Sequence, residues 1–129
     1  MSDIIRRDID VENVIREATK SKFTVYCRPL PENFIVPCLL VQQVGGTEED
    51  TIGTYTVVVD SRAEDEETAM TQLRNFLGYL RKVAGEQTTP IRIVRVNTSA
   101  SWGADPVRPE LAMCSSNLDI TAHLETAEI

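Results

Sequence analysis

Histidine is the scarcest of the residues that catalysis and metal binding use most, since the 129-residue chain contains only His123. A closed zinc site needs about four cysteine, histidine or carboxylate ligands at compatible spacing, which one histidine and dispersed cysteines do not supply. A cysteine–histidine nucleophile would need a thiol close to His123, and no cysteine has a flanking base in sequence. We therefore expect no metal and no cofactor, with His123 at a solvated or interface position.

Paired cysteines are also lacking. Cys27, Cys38 and Cys114 are odd in number and widely spaced, which fits neither a CxxC motif nor the disulfide framework of a small secreted domain. The first residues contain no apolar run typical of a signal peptide, and no segment approaches the roughly 20 apolar residues of a membrane span. The sequence predicts reduced, mostly buried thiols in a cytoplasm-like compartment, with no membrane partner.

Positive charge is in deficit, because 13 basic residues face 20 acidic ones and the net charge is −7. Such a balance repels nucleic-acid phosphates and anionic membranes unless basic side chains gather locally. Arg6 and Arg7 stand near the start of the chain, and Arg92, Arg95 and Arg108 near its end, with acids close by in sequence. From this scatter we predict a solvated surface and no basic patch for nucleic acid.

Catalytic signatures are missing as well. The chain has no GxGxxG or GxxxxGK[ST] loop and no GxSxG nucleophile motif. The pair Gly45-Gly46 sits between predicted strands, whereas a phosphate cradle opens a helix. The acids Glu48, Glu49 and Asp50 lack the alternate-residue spacing of a calcium loop. The sequence predicts a protein that is not an enzyme.

The apolar fraction of 42% and the charged fraction of 26% are those of an ordinary globular domain. The periodic patterns predict one α+β domain, residues 1–129, in the order α-β-β-β-α-β-β, with a mainly antiparallel sheet packed by two helices. Asp10 caps a first helix that ends near Lys20, and an acid-led helix covers Ser61 to Ala84. The predicted strands are Phe23–Cys27, Cys38–Val44, Thr54–Asp60, Ile91–Val96 and Asn117–Glu125, with 28–37 as a crossing loop.

The segment from Gly45 to Gly53 is the most distinctive local feature. It is predicted as an extended hairpin loop, because glycines accommodate turn dihedrals and the acids can stay in water. Two roles are open for Glu48, Glu49 and Asp50. They keep an exposed hairpin soluble and block unwanted edge pairing, or they line a lumen and repel passing DNA.

The only tryptophan, Trp102, lies in the polar and proline-bearing segment from Asn97 to Pro109. Tryptophan is enriched among the residues that dominate binding energy, so Trp102 is a candidate interface anchor. The alternative is that the indole folds back and fills the core of its own domain. The sequence leaves both alternatives open.

Several of these features together resemble the tail terminator, or tail completion, proteins of long-tailed, siphovirus-like bacteriophages. They are the run from Pro37 to Thr47, the β-rich Tyr55 to Val59, the acid-led helix, the segment Trp102-Gly103 with nearby Pro106 and Arg108, and the alternating last strand. The resemblance spans most of the chain. It marks as interface or lumen candidates Gly45, Gly46, Glu48, Glu49, Asp50, Trp102 and Arg108.

The resemblance implies a structural subunit that forms a ring, as a hexamer, at the tail–head junction of the virion. Such a ring stops growth of the tail tube, contacts the tail tube protein and joins the head connector protein. It implies no enzymatic activity and no cofactor, and DNA passes through without specific binding. During assembly the subunit resides in the host cytoplasm. The alternative function is a small cytoplasmic adaptor or inhibitor that binds one partner.

Overall fold

The computed structural model describes residues 3–129, apart from the side chains of residues 98–100. Within these residues the chain forms two helices and seven strands. They are β1 (Ile4–Arg7), α1 (Val11–Thr19), β2 (Val25–Cys27), β3 (Cys38–Glu49), β4 (Ile52–Ala63), α2 (Glu66–Val83), β5 (Ile91–Ala104), β6 (Ala112–His123) and β7 (Glu125–Glu128).

A five-stranded sheet has the strand order β2-β3-β4-β6-β5. Its neighbours are antiparallel except β2 and β3, which run parallel. Parallel neighbours cannot be joined by a tight turn, and the segment 28–37 makes the crossing between them, as predicted. β1 and β7 form a separate antiparallel ribbon. The predicted α+β class, with two helices and a mainly antiparallel sheet, is confirmed.

The core lies between one face of this sheet and the two helices. Because side chains alternate along a strand, Tyr55, Val57 and Val59 of β4 share a face with Leu118 and Ile120 of β6. Helical periodicity places the apolar residues of α2 against that face. The buried residues of α2 are Ala69, Leu73, Phe76, Leu80 and Val83.

The helix caps follow the sequence, but one helix boundary does not. Asp10 caps α1 as predicted, because its carboxylate accepts a hydrogen bond from the backbone N–H three residues later. The second helix begins at Glu66, with Asp65 as its N-cap, and not at the predicted Ser61. The residues Ser61–Ala63 continue β4, since they pair with β6. A ladder partner distant in sequence decided their conformation.

Four strands, β3, β4, β5 and β6, are longer than predicted, and two others were not predicted. β5 continues past Val96 to Ala104, and β6 begins at Ala112, before the predicted start at Asn117. The two extensions pair with each other, which satisfies the backbone groups of a polar segment. β1 and β7 have four residues each, too few for a periodic pattern, and they form only because they pair with each other.

Gly53 lies beside the ring of Tyr55 in the core. A Cβ at Gly53 would lie 2.5 Å from the Tyr55 hydroxyl oxygen, and that oxygen accepts a hydrogen bond from the Ile9 N–H at 3.2 Å. We expect Gly53→Ala to lower the free energy of unfolding by about 1–3 kcal/mol, because the buried ring must move. Urea unfolding followed by circular dichroism measures the change.

Gly78→Ala is the matched control for Gly53→Ala. A Cβ at Gly78, inside α2, would have nothing within 4 Å. The higher helix propensity of alanine should therefore raise the free energy of unfolding by up to about 1 kcal/mol. Equal changes at the two glycines would contradict the packing role assigned to Gly53.

Candidate interaction surfaces

The predicted extended loop from Gly45 to Gly53 is a regular hairpin, which corrects the sequence analysis. β3 continues to Glu49 and β4 begins at Ile52. The two-residue turn starts at Asp50, whose positive φ of 24° is the kind that short hairpin turns use at that position. Neighbouring strand residues point to opposite faces, so the charges of Glu48 and Glu49 do not stand side by side.

The two glycines of β3 have separate roles in this hairpin. The register with β4 shifts between Gln43 and Gly45, so a bulge bends β3 there. At Gly46 an added Cβ would lie 2.8 Å from the Thr54 carbonyl oxygen. The strands approach too closely at that point for a side chain. Gly46 is therefore required by the hairpin, whereas a Cβ at Gly45 would meet nothing within 4 Å.

The end of the hairpin bears the exposed acids Glu48, Glu49 and Asp50, which we call the acidic tip. A backbone hydrogen bond at the turn connects the acidic tip to the end of the chain. The Thr51 carbonyl accepts a hydrogen bond from the Leu124 N–H at 2.9 Å. Backbone tethering of this kind leaves the three carboxylates projecting from a fixed position.

Trp102 lies in β5, at the edge of the five-stranded sheet. Its backbone pairs with that of Cys114 in β6. The residue is 49% exposed and does not belong to the buried core. Near the start of the same strand, Ile93 is 58% exposed. The edge strand therefore presents two large apolar side chains to solvent.

Arg108, a predicted interface candidate, binds within its own chain. Its guanidinium carbon lies 4.1 Å from the centroid of the Phe34 ring. The same group donates hydrogen bonds to the carbonyl oxygens of Phe34 at 3.2 Å and Glu32 at 2.8 Å. Arg108 thereby joins the segment after β5 to the crossing loop, and the Phe34 ring of that loop also lies 5.8 Å from the guanidinium carbon of Arg62 in β4.

A buried ion pair under these segments was missed by sequence analysis. Arg62 and Asp105 are 5% and 2% exposed, and the Arg62 Nε donates to Asp105 Oδ2 at 2.6 Å. Burial raises the pKa of Asp105, but hydrogen bonds from the backbone N–H groups of Arg108 and Val107 and from Arg62 outweigh it and hold the pKa below its ordinary value. The carboxylate stays ionised in the fold.

Asp60 extends this buried cluster along β4. Its carboxylate accepts hydrogen bonds from the side chains of Gln42 and Ser115, and it lies 3.9 Å from Nη1 of Arg62. Two charged residues spaced two apart in an apolar strand lie on the same face. That spacing was the available sequence signal for Asp60 and Arg62, although it could not identify Asp105 as the partner.

The cysteines are free thiols, and Cys38 and Cys114 are buried as predicted. Burial raises the pKa of Cys38 to about 11 and also raises the pKa values of Cys27 and Cys114. Their thiolates are therefore disfavoured at neutral pH. His123 is exposed at the end of β6 and stands about 30 Å along the strand from Cys114. These two residues cannot form a nucleophilic pair.

The fold gathers positive charge where the sequence predicted none. Lys22, Arg74 and Lys82 line one groove with a volume of about 540 Å³, which we call the basic groove. It lies between α2 and the residues that follow α1. Phe23, Asn75, Gly78 and Tyr79 complete its lining, and none of the described residues that line it is acidic. Sequence missed it because Lys22 is distant from α2 along the chain.

The fold and these surfaces define a small α+β protein with an open sheet edge, an acidic tip and a basic groove. Compared with models of known protein families and with curated proteins, the chain matches none of them. Neither helix of the described residues is long and apolar enough to cross a membrane. Across residues 3–129, with the side chains of 98–100 set aside, histidine, cysteine and carboxylate side chains form no metal-binding group of three.

Proposed function

We propose that this chain is a structural, non-enzymatic subunit of a phage tail. Copies of it form a ring, a hexamer by analogy with the tail terminator proteins, that caps the tail tube and joins it to the head connector. The observation that carries this proposal is the difference between the two edges of the five-stranded sheet. One edge is covered by β2 and by side chains bound at Gln43, whereas the other is the 14-residue strand β5, which has no strand beyond it among the described residues.

The capped edge is formed by β2, which has only three residues, and by the part of β3 beyond it. Side chains bind the outward backbone groups of β3 at Gln43. The Gln43 N–H donates to Glu12 Oε2 at 3.0 Å, and the Gln43 carbonyl accepts from Arg28 at 2.9 Å. Such capping prevents another chain from pairing there.

The open edge is β5, which has 14 residues. The His123 N–H donates to the Pro90 carbonyl at 3.1 Å, and ladder bonds alternate along antiparallel strands. With the observed register, Ile93 and Arg95 bond to β6, so the backbone N–H and carbonyl of Val94 point outward. A neighbouring strand of the tail can pair there, with the exposed Ile93 alongside.

Trp102, on the same strand, supplies an apolar anchor for this contact. Tryptophan is enriched among the residues that dominate binding energy, and a partner on this edge would remove the half-exposed indole from water. We assign this edge of β5, with Ile93 and Trp102 on its two opposite faces, to the neighbouring protein of the tail. DNA passes the ring without specific binding.

The test is to add the purified chain to growing tail tubes of the matching phage and to follow them by electron microscopy. The expected result is a ring at one end of each tube and an end to elongation. Trp102→Ala should weaken tube binding by about tenfold or more, whereas Val107→Ala, at a residue that is 72% exposed outside β5, should leave it unchanged. Tubes that stay bare would contradict the proposal, and a fixed one-to-one complex with another protein would favour an adaptor.

A further inference from the structure

The basic groove is built around one face of α2. Arg74, Gly78 and Lys82 are four residues apart, which places them in one row along the helix. Gly78 leaves the middle of that row open, because an added Cβ would have no atom within 4 Å. Lys22 approaches from the segment after α1. Three cationic side chains therefore surround an opening at the surface.

These cations have no acidic partner in the described part of the chain. The ion pairs there involve other arginines and Lys20, and none includes Lys22, Arg74 or Lys82. The Lys82 ammonium lies 5.9 Å from the ring centroid of Tyr79. Like charges that share a groove repel one another, and an acidic ligand would relieve that repulsion.

The acidic tip also carries three exposed charges without ion-pair partners in the part of the chain that the structure describes, but they are negative. Glu48, Glu49 and Asp50 are exposed, and none of them takes part in an ion pair among the described side chains. Arg6 reaches only the carbonyl oxygen of Asp50, at 3.5 Å. Among the described residues, one surface of the molecule thus carries three unpaired carboxylates, and a different surface carries three unpaired cations.

We propose that the acidic tip of one copy docks in the basic groove of a second copy. The tip and the groove are different surfaces, so the contact is heterologous and repeats from copy to copy until a ring closes. The inference rests on the proposed function, of which it specifies the subunit contact. It assigns Glu48, Glu49 and Asp50 to that contact and not to a lumen.

A second copy fits the groove better than DNA does. The groove continues past Phe23 and Asn75 into a depression that is lined by Glu67. DNA is negatively charged along its whole length and would meet this carboxylate. The acidic tip is small, so its negative charge would lie beside the cations of the basic groove and away from Glu67.

Charge reversal tests the contact through the mass of the assembly. The variants are Arg74→Glu/Lys82→Glu in the groove and Glu48→Lys/Glu49→Lys at the tip. Each alone brings like charges together, so the dissociation constant for self-association should rise by about tenfold or more. Light scattering after size-exclusion chromatography, at low salt and over a range of concentrations, gives the mass.

The decisive experiment mixes the two variants in equal amounts. The acidic tip of the groove variant then meets the basic groove of the tip variant, and at the next contact the basic tip of the tip variant meets the acidic groove of the groove variant. The mixture should therefore regain the wild-type mass as a ring of alternating copies. The matched controls are Arg81→Glu, beside the groove on α2, and Glu64→Lys, away from the tip, which should both assemble like wild type. Thermal unfolding verifies that every variant is folded.

Three outcomes would overturn the inference: charge reversal that leaves the mass unchanged, a mixture that stays dissociated, or groove variants that lose only DNA binding in a filter assay. A wild-type chain that remains monomeric at every concentration and on tail tubes would overturn it as well. Tube capping separates the two proposals. Rings that require the tip and the groove but do not bind tail tubes would refute only the proposed function. Tube capping by both charge-reversed variants would refute only the inference about the tip and the groove.

Discussion

Asp105→Ala is expected to lower the free energy of unfolding by about 3–5 kcal/mol, because it removes the carboxylate that hydrogen-bonds the buried Arg62 guanidinium and leaves only the longer contact of 3.9 Å with Asp60. The two residues are 5% and 2% exposed, so water cannot replace the lost partner. The substitution also removes the acceptor for the backbone N–H groups of Val107 and Arg108. Urea unfolding of the variant and of wild type measures the difference.

Glu110→Ala is the control for this prediction. Glu110 is an exposed acid in the segment between β5 and β6, and its loss should change the free energy of unfolding by less than about 0.5 kcal/mol. The double variant Arg62→Met/Asp105→Leu should recover part of the stability, since apolar residues often replace a buried ion pair at little cost. A loss below about 1 kcal/mol for Asp105→Ala would show that the pair does not hold this segment.

The same carboxylate predicts a pH dependence. The pKa of Asp105 in the folded state lies below its ordinary value of 3.8. Folding therefore stabilises the ionised carboxylate relative to the protonated form. Its contribution to stability is complete above the unfolded pKa and is lost as the pH falls through the lower folded pKa. Wild type should therefore lose stability more steeply than Asp105→Asn below about pH 4. Parallel curves would contradict the assignment.

Val94→Pro is expected to weaken tube capping while the domain stays folded. Proline removes the outward N–H of β5 and places its ring on the edge, where a partner strand would pair. The loss of that bond and the steric block should weaken tube binding by about tenfold or more. Negative-stain microscopy of tube ends and a binding titration measure the effect.

Two variants separate the edge from the packing behind it. Val94→Ala removes side-chain contacts with the core but keeps the outward N–H, so it should cap tubes normally at slightly lower stability. Ile93→Pro removes an N–H that bonds to β6 and should destabilise the fold. Tube capping by Val94→Pro at wild-type affinity would place the contact on another surface.

Caps and periodicity made the helices predictable. Asp10 and the apolar spacing after it identified α1, and the stripe that ends near Val83 identified α2. These signals are local, because a capping carboxylate and helical neighbours lie within a few residues of each other. The start of α2 was less predictable, since Ser61–Ala63 can follow either pattern until β6 pairs with them.

The candidate surfaces were predicted less completely than the fold. The acids from Glu48 to Asp50 were recognised as a feature, but their placement on a strand end was not. Trp102 was recognised as an anchor candidate without its place on β5. Arg108 was predicted as an interface candidate, without the contact that its guanidinium makes with Phe34. Residue types indicated which side chains matter, and pairing partners decided where they lie.

Composition and short-range periodicity encode the absence of paired cysteines, the deficit of positive charge, the two helices and the central strands. The β1–β7 ribbon, the Arg62–Asp105 pair and the meeting of Lys22 with Arg74 and Lys82 depend on the folded chain. Each of these joins residues far apart along the chain. Their stability comes from burial and pairing that exist only once the sheet has formed.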